Sequence, residues 1–177
     1  MRVIAGEFRS RVLKSLPGLT VRPTPDRLRE TLFNVLTPRI EGVVFLDAYA
    51  GTGAVGIEAL SRGAASAIFF ERDLRALDIL RQNLVSLKIG AQATVVPGSA
   101  LRLLKDYRAD IVFIDPPYHQ TADYESALQL SCGRCGLAIA QHDAKFQLAD
   151  CYGVLQRTRT LRQGSNVLSF FQPAVTG

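Results

Sequence analysis

From Val43 to Phe171 the apolar positions alternate between two spacings. Short continuous runs, Val-Val-Phe-Leu at 43–46, Ala-Ile-Phe-Phe at 67–70 and Ile-Val-Phe-Ile at 111–114, have the length and branching of strands buried on both faces of a sheet. Between them, apolar residues recur every three or four positions, as on amphipathic helices. The pattern predicts strand 43–47, helix 54–62, strand 67–71, helix 73–88, strand 93–97, short helix 100–105, strand 110–115, helix 123–130 and strand 136–141. Strands separated by helices imply a mostly parallel α/β sheet. The end departs from that rhythm: Val154 to Leu161 and Val167 to Phe171 are two β-rich runs divided only by Arg162-Gln-Gly-Ser165, which suits an antiparallel hairpin.

Ahead of the sheet, two β-type pieces around Val3-Ile4 and Val12-Leu13, with Gly6 between them, predict a small hairpin or extended arm. After Pro17 and Gly18, Thr24 can cap a helix and Pro25 suits its first turn. Leu28, Leu32, Val35 and Leu36 form its apolar stripe, and Pro38 ends it.

Chemistry concentrates where the first buried strand meets its helix. Asp47 closes the strand, and Gly51, Gly53 and Gly56 follow in a G-x-G-x-x-G spacing that lets the backbone turn sharply and approach a ligand. Glu71 ends the next strand, at the distance where an acidic residue holds a ribose. A nucleotide-like cofactor fits this arrangement, and on the glycines alone NAD and S-adenosyl-L-methionine compete. Asp47, together with a second motif at the same sheet edge, favours S-adenosyl-L-methionine. That motif is Asp115-Pro116-Pro117-Tyr118, leaving the run 111–114. Two prolines stiffen the turn, so the Asp115 carboxylate and the Pro116 carbonyl can accept from one exocyclic amino group and direct its lone pair at a methyl donor. Tyr118 can stack on the base.

Composition changes the picture in two places. At 177 residues and 47% hydrophobic the chain fits one domain with a substantial core, and no run approaches the roughly 18 apolar residues of a membrane span. The opening residues lack the apolar core of a signal peptide, so a cytoplasmic protein is expected. Cys132 and Cys135 make a lone C-x-x-C with no second pair to complete a zinc set, and read as ordinary reduced cysteines. The formal charge of +5 is confined to residues 1–39, where eight arginines and lysines face three carboxylates; the remainder is balanced. A localised positive segment points to a polyanion such as nucleic acid.

Four stretches together resemble one family: R-V-I-A-G-x-F-R-x-R at the start, R-P-T-x-D-R-x-R-E-x-L-F-N at 22–34, D-x-x-A-G-T-G-A-x-G-x-E-A-L-S-R-G-A at 47–64 and D-P-P-Y at 115–118. The chain resembles the RsmD family of 16S rRNA guanine-N2 methyltransferases, least over 119–160. The resemblance implies the seven-stranded, Rossmann-like class I methyltransferase sheet as one domain over 1–177, with 1–39 as an RNA-binding arm and helix. It implies S-adenosyl-L-methionine as cofactor, no metal, and 16S rRNA as partner, free or in an assembling subunit. By that resemblance the backbone at Ala50, Gly51 and Gly53 contacts the methionine part, Asp47 supports the loop, Glu71 binds the ribose, and Ser99 and Ala100 contact adenine. Asp115, Pro116 and Tyr118 are the catalytic candidates, and Arg9, Arg11, Arg22 and Arg29 the RNA contacts. Two rivals remain at this level: a D-P-P-Y enzyme acting on adenine-N6 of DNA or another RNA base, and a non-catalytic RNA-binding or assembly protein.

Overall fold

The computed structural model describes residues 1–16, 25–117 and 119–174. Among these, eight strands form one sheet: β1 (Val44–Asp47), β2 (Ser66–Glu71), β3 (Ala93–Pro97), β4 (Ile111–Ile114), β5 (Leu137–Asp143), β6 (Cys151–Tyr152), β7 (Leu155–Gln163) and β8 (Asn166–Pro173). Their order is β3-β2-β1-β4-β5-β8-β7-β6. The ladders from β3 to β5 are parallel, and those joining β5, β8, β7 and β6 are antiparallel. The chain therefore winds outward from β1 to β3, then returns to β4 on the other side of β1. Such a reversal opens a crevice at the carboxyl ends of β1 and β4.

Among the described residues five α-helices flank the sheet: α1 (Asp26–Leu36), α2 (Ala54–Ser61), α3 (Leu74–Ser86), α4 (Ala100–Leu103) and α5 (Ala122–Ser131). Strand alternation divides the core in two. Phe45, Phe113, Ile139 and Phe170 face Leu28, Leu32 and Phe33 of α1, Ile57 of α2 and Leu80 of α3. On the other side, Leu46, Val112, Ile114 and Phe171 pack with Ala127 and Leu128 of α5. All of β4 is buried, as its unbroken apolar run requires.

The predicted elements are present, with boundary shifts of one or two residues. Seven longer strands match the expected count, and β6 adds a two-residue eighth that pairs only with Leu155 and Gln156. The hairpin turn is Gly164-Ser165, two residues rather than four. At α1 the flanking residue is Pro25, without a side-chain cap, and Thr24 lies outside the described residues. Its buried stripe is Leu28, Arg29, Leu32, Phe33 and Leu36, with Val35 only half-buried.

The first fourteen residues form the expected arm, bridged at Arg2 and Val12, and it docks on the helices rather than on a strand. Glu58 of α2, fully buried, accepts from the backbone of Ile4 (2.8 Å) and Ala5 (3.0 Å). Ser61 Oγ accepts from the Phe8 N–H at 2.9 Å, and its carbonyl accepts from Glu7 at 2.8 Å. Asn83 of α3 accepts from the Lys14 N–H at 2.8 Å and donates back to the Lys14 carbonyl at 3.1 Å.

Candidate active site

Three backbone hydrogen bonds lace the loops together at the carboxyl edge of the sheet. Ala48 donates to Phe113 of β4 at 2.9 Å, Ala50 to Phe70 of β2 at 2.9 Å, and Gly98 to Glu71 at 2.9 Å. The loops after β1, β2 and β3 are therefore fixed relative to one another by the strand ends. Gly53, at φ +88°, occupies the left-handed region and starts α2 without a side-chain cap. Gly56 lets α2 lie against β2: a Cβ there would sit 2.3 Å from the Phe69 ring.

Two carboxylates brace the glycine loop from within. Asp47 is 2% exposed, and its Oδ2 accepts from the Gly56 N–H at 3.1 Å. Burial pushes its carboxyl up to about 7, against the lowering effect of that hydrogen bond, and the neighbouring Glu71 charge adds to the rise. Glu71 reaches back to accept from the Gly51 N–H at 2.7 Å with Oε2, while Oε1 accepts from Arg72 and Asp73, both at 2.8 Å. A carboxylate offers about four acceptor positions, so one remains for a ligand donor.

The space in front of this loop suits a nucleoside-type cofactor. A Cβ on Gly51, at φ +54°, would meet nothing within 4 Å, so the backbone there borders open space with the Glu71 carboxylate hydrogen-bonded beside it. Ser99, half-buried, directly follows the Gly98 that is bonded to Glu71. Ala100 is 3% exposed and packed in the core with Phe70 and Leu104, so only its backbone is available to a ligand.

β4 ends one residue before Asp115, which is half-buried, and Pro116 is buried. Phe113 lies beside Asp47 in the ladder, so the Asp115-Pro116 turn leaves the sheet alongside the glycine loop. Tyr118 lies outside the described residues. A contact absent from the sequence reading ties the two loops together: Tyr49 Oη donates to Asp123 Oδ2 of α5 at 3.1 Å. Burial, and then the Asp123 charge, hold the Tyr49 phenol well above its usual range, so it stays a protonated donor. An aromatic inside a glycine-rich turn was the available signal, but its partner lies 74 residues away.

The candidate RNA contacts divide. Arg9 and Arg11 are exposed on the arm, and Arg11 donates to the carbonyl of Ser86, the last residue of α3, at 3.0 Å. The arm segment before Arg9 docks at Ser61, the last residue of α2, whereas Arg11 sits at Ser86, one turn beyond the Asn83 whose side chain donates to the Thr52 carbonyl of the glycine loop at 2.9 Å. Arg22 lies outside the described residues. Arg29 corrects the expectation: its side chain is 0% exposed, pairs with Asp26 at 3.1 Å and Glu58 at 3.8 Å, and donates to the Arg2 carbonyl. It holds the arm to α1 and α2 and cannot reach a phosphate.

Sheet order, glycine loop and D-P-P turn define a class I methyltransferase, and the solved structures agree on the fold. The structure of yhhF from Escherichia coli superposes with a TM-score of 0.87 at 34% identity, covering 99% of both chains. Residues 1–172 match the family described as Conserved hypothetical protein 95. The chain is 34% identical to YlbH of Bacillus subtilis over 97% of its own length and 98% of that protein. It is 43% identical to ribosomal RNA small subunit methyltransferase D of Haemophilus influenzae, over 75% of this chain and 70% of that one. This chain belongs to the RsmD family of methyltransferases.

Proposed function

We propose that this protein transfers the methyl group of S-adenosyl-L-methionine to the N2 amino group of a guanine in 16S rRNA. The observation carrying the reading is the meeting, at one crevice, of a glycine loop braced by Asp47 and Glu71 with the Asp115-Pro116 turn from the adjacent strand. Relatives named for small-subunit ribosomal RNA methylation support the substrate class; D-P-P-Y supports an exocyclic amino group, and the resemblance of the four stretches to the RsmD family supports guanine N2. In this reading all 177 residues work as one methyltransferase domain in the cytoplasm, with 1–39 as its RNA-binding arm and helix.

The cofactor supplies a methyl group already activated by its sulfonium, so the chain's task is to bind, align and exclude water. The backbone of Ala50, Gly51 and Gly53 holds the methionine part, and Asp47 keeps that loop in shape. The remaining acceptor position of Glu71 takes a ribose hydroxyl, while Ser99 and the Ala100 backbone border the adenine. Asp115 and the Pro116 carbonyl accept the two amino hydrogens and aim the nitrogen lone pair. After transfer, the extra proton leaves to solvent or through Asp115. Tyr118 stacks on the base, offsetting an extrusion cost of roughly a few kcal/mol.

Nucleoside mass spectrometry of small-subunit rRNA from cells with and without the protein tests this. Loss of one N2-methylguanine is expected on deletion; an unchanged nucleoside profile would sink the proposal. Calorimetric titration should detect S-adenosyl-L-methionine and not NAD.

A further inference from the structure

The net charge of the segment after residue 39 is zero, but its distribution is uneven. Residues 151–177 contain Arg157, Arg159 and Arg162 and no lysine, aspartate or glutamate. Arg157 is committed to the fold: it pairs with Asp150 at 3.3 Å, donates to the carbonyls of Leu148 and Ala149, and lies over the Phe171 ring. Arg159 and Arg162 are exposed, and among the described residues neither has a carboxylate within ion-pair distance. Among the described residues the Arg162 side chain donates to the Gly164 carbonyl of its own turn at 3.2 Å.

Topology brings the end of β7 to the working side of the sheet, with Arg162 at the edge and Arg159 three residues earlier, level with Phe170 and, by strand alternation, on the other face. β8 runs antiparallel to β5 and β7 antiparallel to β8, so β7 runs with the parallel strands and ends at their carboxyl edge. Asp143, at the end of β5, is level with Asn166 and, across β8, with Gln163. Arg162 therefore lies at the edge where Asp47 and Asp115 sit. β7 is also open along its outer side, because β6 covers only Leu155 and Gln156. From Thr158 onward no strand is laid against that edge among the described residues, so alternate backbone N–H groups face outward beside the arginines. A second copy pairing edge to edge would set these arginines against their own counterparts, which disfavours self-association.

We infer that the β7–β8 hairpin, through Arg159 and Arg162, binds the RNA backbone beside the target nucleotide. The inference rests on the rRNA reading above and adds to it the surface that holds the strand near the crevice. β7 stands three strands from β4, or about 14 Å at ~4.8 Å per strand.

The test compares wild type with the double variant Arg159→Gln, Arg162→Gln, using a 16S rRNA transcript over a salt series. Loss of two phosphate contacts should make the slope of log K against log salt shallower by about 1.4 and lower affinity at low salt. S-Adenosyl-L-methionine affinity and thermal stability should stay unchanged, since both side chains are exposed. An unchanged slope overturns the inference, as does wild-type protein that binds no RNA, or a variant whose only change is a shift between dimer and monomer in sedimentation. Absence of methyl transfer by wild type would count against the functional reading, whereas transfer with an unchanged slope would remove the hairpin alone.

Discussion

Asp47 is an ionisable group placed where ionisation is expensive, and the sign of its effect can be worked out. Its folded value of about 7 exceeds the ordinary 3.8, so between about pH 4 and pH 7 the folded chain holds more protons than the unfolded one. Its contribution to stability is full below that window and is lost as pH rises through about 7, at up to about 1.4 kcal/mol per pH unit. His142 acts oppositely, because burial lowers its value. Denaturant titrations at pH 5 and pH 7 on wild type and Asp47→Asn separate the two, since His142 is common to both. The variant keeps an acceptor for Gly56 and should lose less stability than wild type over that interval; equal losses would mean that folded Asp47 is already ionised at pH 5 and that burial does not raise its value. At Asp115 the expectation is different. Asp115→Ala should reduce methyl transfer by at least tenfold while cofactor affinity, read by calorimetry, stays within a few fold, because the carboxylate is assigned to the substrate amine. Wild-type turnover in that variant would remove it from the mechanism. Glu71→Ala is a less clean probe, since the same carboxylate holds Gly51.

At the scale of elements, what could be read from sequence follows local periodicity and what could not depends on distant partners. The buried runs that became β1, β2 and β4 are legible because a strand covered on both faces has no polar position to disguise it. The glycine loop, Glu71 and the D-P-P turn were legible because each sits at a strand end, where parallel topology gathers the loops. β6 was invisible: two residues have no period. Arg29 was misread because an arginine in a helix full of charged neighbours looks solvated, while the position is one turn before Phe33 and two before Leu36, inside the buried stripe. Its partner Glu58 is 29 residues away and on another helix. The corrected role has a measurable consequence. Arg29→Met should cost about 3 kcal/mol in urea denaturation, the scale for removing one member of a buried ion pair, and leave the salt slope of RNA binding unchanged in protein that remains folded. A stable variant with a shallower slope would return Arg29 to the RNA-contact set.

At the scale of the molecule, the arm and the glycine loop are not independent. Asn83 is the junction. It is 1% exposed, exchanges two hydrogen bonds with Lys14 at the end of the arm, and donates to the Thr52 carbonyl of the glycine loop at 2.9 Å. Cutting its side chain back to alanine leaves the Lys14 N–H and the Lys14 and Thr52 carbonyls without these partners, at about 1–3 kcal/mol for each group that stays buried and unpaired. Asn83→Ala should therefore lower thermal stability and weaken cofactor affinity together, with faster hydrogen exchange both in residues 1–14 and around Thr52. A purely local packing role predicts lost stability with exchange in the loop unchanged, and that pattern would break the proposed link. Leu80→Ala is the comparison, because it opens the same helix–sheet interface without touching any of the three hydrogen bonds. If Asn83 transmits, its variant should lose more cofactor affinity per unit of stability lost than Leu80→Ala does. An RNA that pulls on the arm would then alter the loop through the same side chain, and cofactor affinity measured with and without RNA should differ in wild type and converge in Asn83→Ala.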